Sequence, residues 1–382
     1  MNRYALLLPF CLLFMGCNLK RPADRFFHGF NNPHTEPVLY ARGFALQTDG
    51  CNVLVTIRNP WQNATNVEYS YFLSDTVDKS RILDENHSII KTPVRKVVCL
   101  STTHIGFISF LHETNSVIGI SGRNLIANEE LQAMILTNDL PDVGYDENLN
   151  FELILNLKPD VVLAYGVSGT VTSTVRKLNE LGIPAILIAE YLEEEPLAKM
   201  EWIKVFGALF NRESIAILKF DSVAIKYKQL SALTANLTSK PSVLLGLPWR
   251  GTWYVSGGES YVAKLISDAG GKYIFSDYTF KDSRPVALEK IFERALGADF
   301  WLNSGDAGSL ADIFRVDERF INLTSVKQNR VYNNNNKIIP PGGNAFFESG
   351  VVEPEIILSD LIYILHPQLL PSHQLKYYKK LQ

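Results

Sequence analysis

Short apolar runs alternate with helical stripes over most of the chain, and the change of period marks its organisation. Val97-Val98-Cys99-Leu100, Val117-Ile118-Gly119-Ile120, Val161-Val162-Leu163-Ala164 and Ala185-Ile186-Leu187-Ile188 carry no charged or strongly polar residue. Runs of that length and composition predict strands buried on both faces. Between them the spacing predicts helices over 105–112, 151–157 (stopped by Pro159) and 171–181. In the last of these Val171, Val175, Leu178 and Leu181 share one face, and Gly182 supplies the stop. Residues 196–237 hold no strand pattern. Phe220, Val223, Tyr227, Leu230 and Leu237 keep a single stripe that ends near Lys240-Pro241, predicting one long helix or a helix pair. The alternation then resumes. Strands are expected at Ser242-Val243-Leu244-Leu245, Phe300-Trp301-Leu302 and Val331-Tyr332, and helices over 261–269, 288–296 and 353–365, the last with Pro354 in its first turn. Apolar strands joined by helices predict the α/β class with parallel sheets covered on both sides. Here the expectation is two Rossmann-like lobes, 93–195 and 241–382, bridged by the helical segment 196–240.

The chain before residue 93 follows other rules. Residues 38–47 are rich in strand formers, Asp49-Gly50 is a hairpin turn, and Asn52 to Arg58 is the partner strand, stopped by Asn59-Pro60-Trp61. Val67 to Leu73 predicts a third strand, so 38–92 is read as a small β-rich segment. Residues 17–37 carry Pro, Asn, His and Lys with little periodicity and read as a tether. In residues 1–16 a polar start with Arg3 precedes an apolar run that is too short for a bilayer, which takes about 20 residues, and that has the length of a secretory signal. It ends at Phe14-Met15-Gly16-Cys17, the arrangement of a lipoprotein processing site, with Cys17 as the residue to be lipidated. Phe14 and Met15 differ from the usual residues there. No second stretch is apolar and long enough to span a membrane. The formal net charge is -3, and no basic patch of the kind nucleic acid requires is present. Cys51 and Cys99 remain after processing, either as a disulfide or as two separate thiols.

The two lobes echo each other. Residues 151–166 run helix, Pro-Asp, apolar strand and polar or glycine-rich loop; residues 287–305 run helix, Ala-Asp, apolar strand and another such loop. Asp160 and Asp299 open the two strands, and Glu152 and Glu289 stand at the starts of the two helices, where the helix dipole favours a carboxylate. Two such lobes imply a cleft outside the carboxyl ends of the strands.

With these residues in view, the chain over roughly 93–367 resembles the substrate-binding proteins of ABC importers for ferric siderophores, haem and cobalamin. The resemblance is carried by VRKVVCLSTTHIGFISFL, by NFELILNLKPDVVLAY with LNELGIPAILI, by GGESYVAKLISDAGGKYIF and by EPEIILSDLIYILHP. The β-rich 38–92 lies outside it. The resemblance implies a monomeric, extracytoplasmic, membrane-anchored lipoprotein (periplasmic where the cell has an outer membrane) whose stiff bridge allows little closure. Its partners would be an ABC permease with a cytoplasmic ATPase. Glu152 and Glu289 would dock on that permease, with Glu180 near the end of the following helix as the other N-lobe position. The cargo would be a ferric siderophore or a cobalamin, with haem third, and no cofactor would be permanently bound.

The loops leaving the strands supply the candidate ligand contacts: Thr103 and His104, Arg123 and Tyr165 in the first lobe; Trp249, Arg250, Trp253, Tyr254 and Asn303 in the second. Three large aromatics and an arginine within Trp249-Arg250-Gly251-Thr252-Trp253-Tyr254 suit a large planar ligand, or else a hydrophobic packing corner. Arg123 and Arg250 suit an anionic chelate, or are solvated. His104 reads as a metal contact or as a polar helix-start residue, and Asn344 lies on a loop within reach. No zinc-type Cys/His spacing occurs. Gly-x-Ser-x-Gly, P-loop and His-Glu-x-x-His motifs are absent, so no enzyme is expected. Glu193-Glu194-Glu195 reads as a solvated turn rather than a catalytic pair. The alternatives are an extracytoplasmic lipoprotein hydrolase and a surface capture lipoprotein serving an outer-membrane receptor.

Overall fold

The computed structural model describes residues 30, 32–145 and 148–382. The proposed signal and Cys17 lie outside these residues. In the first lobe the strands Ala185–Leu187, Val161–Ala164, Val97–Cys99 and Val117–Ile120 lie side by side in that order, all parallel. Almost every residue in them is buried, because helices Thr102–Phe110, Phe151–Leu157 and Val171–Glu180 pack onto the sheet. In the second lobe the order is Lys272–Tyr273, Ser242–Leu245, Phe300–Leu302, Val331–Asn333 and Lys379–Lys380. The first four are parallel and the last is antiparallel. Among the described residues no strand pairing joins the two sheets. The α/β two-lobe architecture expected from the alternation is therefore present.

The internal echo has a structural cause. Asp160 Oδ2 accepts from the amides of Arg95 and Lys96 at 2.8 and 2.9 Å, immediately before strand Val97–Cys99. Asp299 Oδ2 accepts from the amide and the hydroxyl of Ser242, both at 2.7 Å, at the start of strand Ser242–Leu245. In each lobe, then, the aspartate that opens one strand satisfies the first donors of its neighbour, groups that the parallel ladder leaves unpaired.

The helical bridge is broken more finely than the stripe predicts, into Pro196–Glu201, Ile203–Phe210 and Glu213–Thr234. Asn211, left-handed at φ 54°, ends the second helix. The third has 22 residues and at ~1.5 Å per residue spans about 33 Å. Its buried face (Ala216, Phe220, Val223, Ala224 and Tyr227) keeps the predicted three-and-four spacing. It packs against Ile203–Phe210 on one side and the C-lobe helix Pro354–Leu365 on the other. The lobes also touch directly. A Cβ on Gly106 would lie 2.2 Å from the Glu348 carbonyl oxygen, and one on Gly343 would lie 2.0 Å from that of Ile126. Only glycine permits these backbones to come so close.

The β-rich segment is a six-stranded sheet, ordered His34–Glu36, Phe44–Thr48, Asn52–Arg58, Glu68–Ser74, His87–Lys91, Arg81–Ile82. Its inner face joins the apolar core of the lobes. Residues 38–43, expected to be strand, are instead an irregular lead held by two buried carboxylates. Glu201, fully buried, accepts from the amides of Leu39, Tyr40 and Ala41 and from Lys204 Nζ. Glu193 accepts from the amides of Arg42 and Gly43 and from the Trp202 indole N–H. The reading of Glu193 as part of a solvated turn is thus corrected: five aligned backbone donors bring the two carboxylates inside. Glu194 and Glu195 do face outward, and each meets a C-lobe lysine, Lys281 and Lys264 respectively. Cys99 is buried in its strand and Cys51 is exposed on the hairpin; both are free thiols. Beyond residue 365 the chain continues as a tail whose amides at Lys376, Tyr377 and Tyr378 donate to the buried Asp360 carboxylate. No helix among the described residues is long and apolar enough to cross a membrane.

Candidate functional site

A cleft of about 640 Å³ lies between the lobes and is lined from both. Thr102 and Thr103 reach it from the first turn after strand Val97–Cys99, with the Ser101 side chain accepting from the Thr103 amide as helix cap. Leu245 ends strand Ser242–Leu245 and Gly246 follows it, Asn303 follows strand Phe300–Leu302, and Asn334 and Asn335 follow strand Val331–Asn333. The lining therefore sits at the carboxyl ends of the strands, as parallel α/β sheets dictate. Phe346, Phe347 and Val351, from the segment that touches Gly106, complete it.

The chemistry is concentrated where the first lobe runs into the bridge. Glu190 is 3% exposed. Burial pushes its carboxyl up, and the Thr103 hydroxyl, the Lys199 charge and nearby backbone amides oppose the shift. Burial pulls the Lys199 ammonium down against the attraction of Glu190 and Glu193. Its Nζ lies 4.1 Å from the centroid of the Tyr261 ring on the opposite lobe, a cation–π contact across the cleft. Beside it the Tyr191 hydroxyl donates to the Gly166 carbonyl at 2.7 Å. Among the described residues no three of His, Cys, Asp and Glu approach closely enough to hold a metal ion.

Of the residues singled out in the sequence, Thr103, Tyr254, Asn303 and Asn344 line this cleft. Trp253 does not, and its expected place is corrected. It is 1% exposed, donates its indole N–H to the Leu245 carbonyl at 3.1 Å, and stacks on Trp301. The cause is strand alternation: in Trp253–Ser256 the odd positions turn into the lobe core, while Tyr254 and Ser256 face the cleft. Trp249 and Arg250 belong to a two-residue hairpin turn. Arg250 and Gly251 both have positive φ, 49° and 79°, and Trp249 and Thr252 exchange backbone hydrogen bonds. Trp249 is exposed there, the Arg250 guanidinium stacks 4.5 Å over it, and neither lines the cleft.

His104 is also corrected. It is fully buried beside Tyr165 and Phe206, neither ring nitrogen has a partner among the described residues, and burial pulls the imidazole down to about 3. One helical step beyond Thr103 rotates it into the core. Arg123 is exposed and donates its amide to Asp142 Oδ2 at 2.9 Å; its neighbour Leu125, not the arginine, reaches the cleft. Tyr165 lines a separate cavity of about 300 Å³, its hydroxyl 2.8 Å from that of Tyr145. Glu152 and Glu289 are exposed in the first turns of helices Phe151–Leu157 and Leu288–Ala295. The sequence reading missed Glu190, Lys199, Tyr261, Asn334 and Asn335. Glu190 and the asparagines lie within three residues of strand ends and could have been found by that rule; Lys199 and Tyr261 carried no such signal.

Residues 97–337 match the sequence profile of the periplasmic binding protein family. An uncharacterised lipoprotein of Methanocaldococcus jannaschii is 27% identical over 309 residues, which cover 78% of this chain and 71% of that relative. Among solved structures, the TroA-like periplasmic binding protein FepB from Veillonella parvula superposes with a TM-score of 0.57 at 15% identity, covering 79% of this chain and 99% of the other. The periplasmic heme binding protein HutB of Vibrio cholerae gives 0.55 at 17% identity, covering 69% and 97%. At these identities the likeness to the solved structures is one of fold.

Proposed function

The chain belongs to the periplasmic binding protein family, and from that premise we propose that it is the lipid-anchored, extracytoplasmic solute receptor of an ABC importer. In this reading Cys17 carries the lipid, and a ferric siderophore or a corrinoid, with haem less favoured, sits between the lobes. The observation that carries it is the cleft itself: about 640 Å³, lined from two separate sheets and bridged by a 22-residue helix. Its size falls in the range of small-molecule sites, about 300–1,000 Å³. The family comprises solute-binding proteins rather than enzymes.

Glu152 and Glu289 are the proposed docking carboxylates, one on each lobe. Capture of detergent-solubilised membrane proteins on the immobilised full chain tests the reading. The cognate permease is expected to be retained by the native protein and lost with a Glu152→Arg, Glu289→Arg pair, whose exposed positions leave folding intact. Retention of an outer-membrane receptor in place of a permease would favour the surface-capture alternative instead.

A further inference from the structure

Three acceptor atoms of cleft residues are buried without a partner among the described residues: Glu190 Oε2, Asn303 Oδ1 and Asn335 Oδ1. A buried polar atom left in that state costs on the order of 1–3 kcal/mol, so native structures rarely leave one without a purpose. Here three occur on the lining of one cavity, and all three are oxygens. The orientation of Asn335 follows from its bonds. Its Nδ2 donates to the Ala307 carbonyl at 3.0 Å, which leaves the oxygen as the free end. Asn303 uses its side chain to bond the Tyr378 hydroxyl, again with Oδ1 left over. Asn333 is fully engaged, donating to the carbonyls of Gly305 and Ala307, and so fixes the backbone on which Asn334 and Asn335 stand.

The charges of the cleft point the same way. Its charged lining residues are Glu190, Asp306 and Lys199. The one cation among them already faces Glu190 and lies over the Tyr261 ring. The two arginines that could have held an anion, Arg123 and Arg250, are both outside the lining.

We propose that the cleft selects a ligand that presents N–H or O–H donors and carries no net negative charge, with Glu190, Asn303 and Asn335 as the accepting groups. This inference rests on the solute-receptor reading above. A cationic or neutral donor-bearing ligand supplies the missing partners and strengthens with Glu190 ionised. A polycarboxylate or catecholate ligand brings acceptors against acceptors and negative charge against two carboxylates, an arrangement that rejects by unpaired polar groups and like-charge repulsion.

Calorimetric titration of the full chain with four probes tests it: ferrioxamine B (a cationic hydroxamate chelate with amide N–H groups), cyanocobalamin (neutral, with many primary amides), ferric enterobactin and haemin. Saturable binding is expected for one or both of the first two, at least tenfold tighter than for either anionic probe. Asn335→Leu is expected to weaken the bound probe at least tenfold. Asp306→Asn, at an exposed position where folding is not at stake, weakens a cationic probe two- to fivefold. Preference for ferric enterobactin or haemin overturns the donor rule while a solute receptor stands. So does unchanged affinity in Asn335→Leu with the native melting temperature. Absence of saturable binding to all four removes the inference together with the receptor reading.

Discussion

Glu348 lies at the contact between the lobes, 3% exposed, with Oε2 accepting from the Ala127 amide at 2.7 Å. Burial lifts its carboxyl from 4.5 to about 7, only partly opposed by the amides of Ala127 and Asn128. Each decade of proton affinity is worth about 1.4 kcal/mol, so burying the ionised form costs on the order of 3 kcal/mol. The sign follows from proton counting. Between pH 4.5 and 7 the folded chain holds a proton that the unfolded chain has released. Stability therefore falls as pH rises, and a contribution complete below the lower value is gone above the upper one. Glu348→Gln removes the titrating group but keeps a carbonyl to accept from Ala127. It should be close to neutral at pH 4.5 and should stabilise by about 1–3 kcal/mol at pH 8, the range allowing for the new amide donors. Glu355, also pushed up to about 7 by burial, keeps its share of the slope in the variant. Urea unfolding followed by tryptophan fluorescence across pH 5–8 measures the difference. Parallel native and variant curves over that window would refute the reasoning.

Two further outcomes follow from the packing. Glu201→Ala leaves the amides of Leu39, Tyr40 and Ala41 and the Lys204 ammonium without their acceptor. A loss of about 3–5 kcal/mol is expected, with proteolytic cleavage appearing first in residues 37–43; a native digestion pattern argues against the clamp. Trp253→Ala removes a side chain stacked on Trp301 and edged by Phe320 and should cost about 3–5 kcal/mol in denaturant titration. A change under about 1 kcal/mol would return Trp253 to the surface.

Much of the fold is legible in the sequence because parallel strands buried on both faces have to be apolar throughout, and Val97–Cys99 or Val161–Ala164 cannot be mistaken for loop. The aspartate echo is legible as a pattern, though its cause, the pairing of Asp160 and Asp299 with the starts of neighbouring strands, needs coordinates. The site was read less well for a specific reason. In the sequence alone residues 249–254 read as one loop, and without a strand assignment its faces cannot be sorted, so Trp253 and Tyr254 look equivalent. Glu190 and Lys199 meet Thr103 and Tyr261 respectively, far apart in the chain. The clamp on the N-terminal sheet likewise joins residues 150–162 positions apart. No local pattern encodes such separations.

The close backbone approaches at Gly106 and Gly343 leave no gap between the lobes where those glycines sit. Any side chain larger than hydrogen at either position would act as a wedge, prising the Glu348 or Ile126 backbone away from its neighbour. The spacing of the two lobes is thus set at these positions by the absence of a single carbon atom.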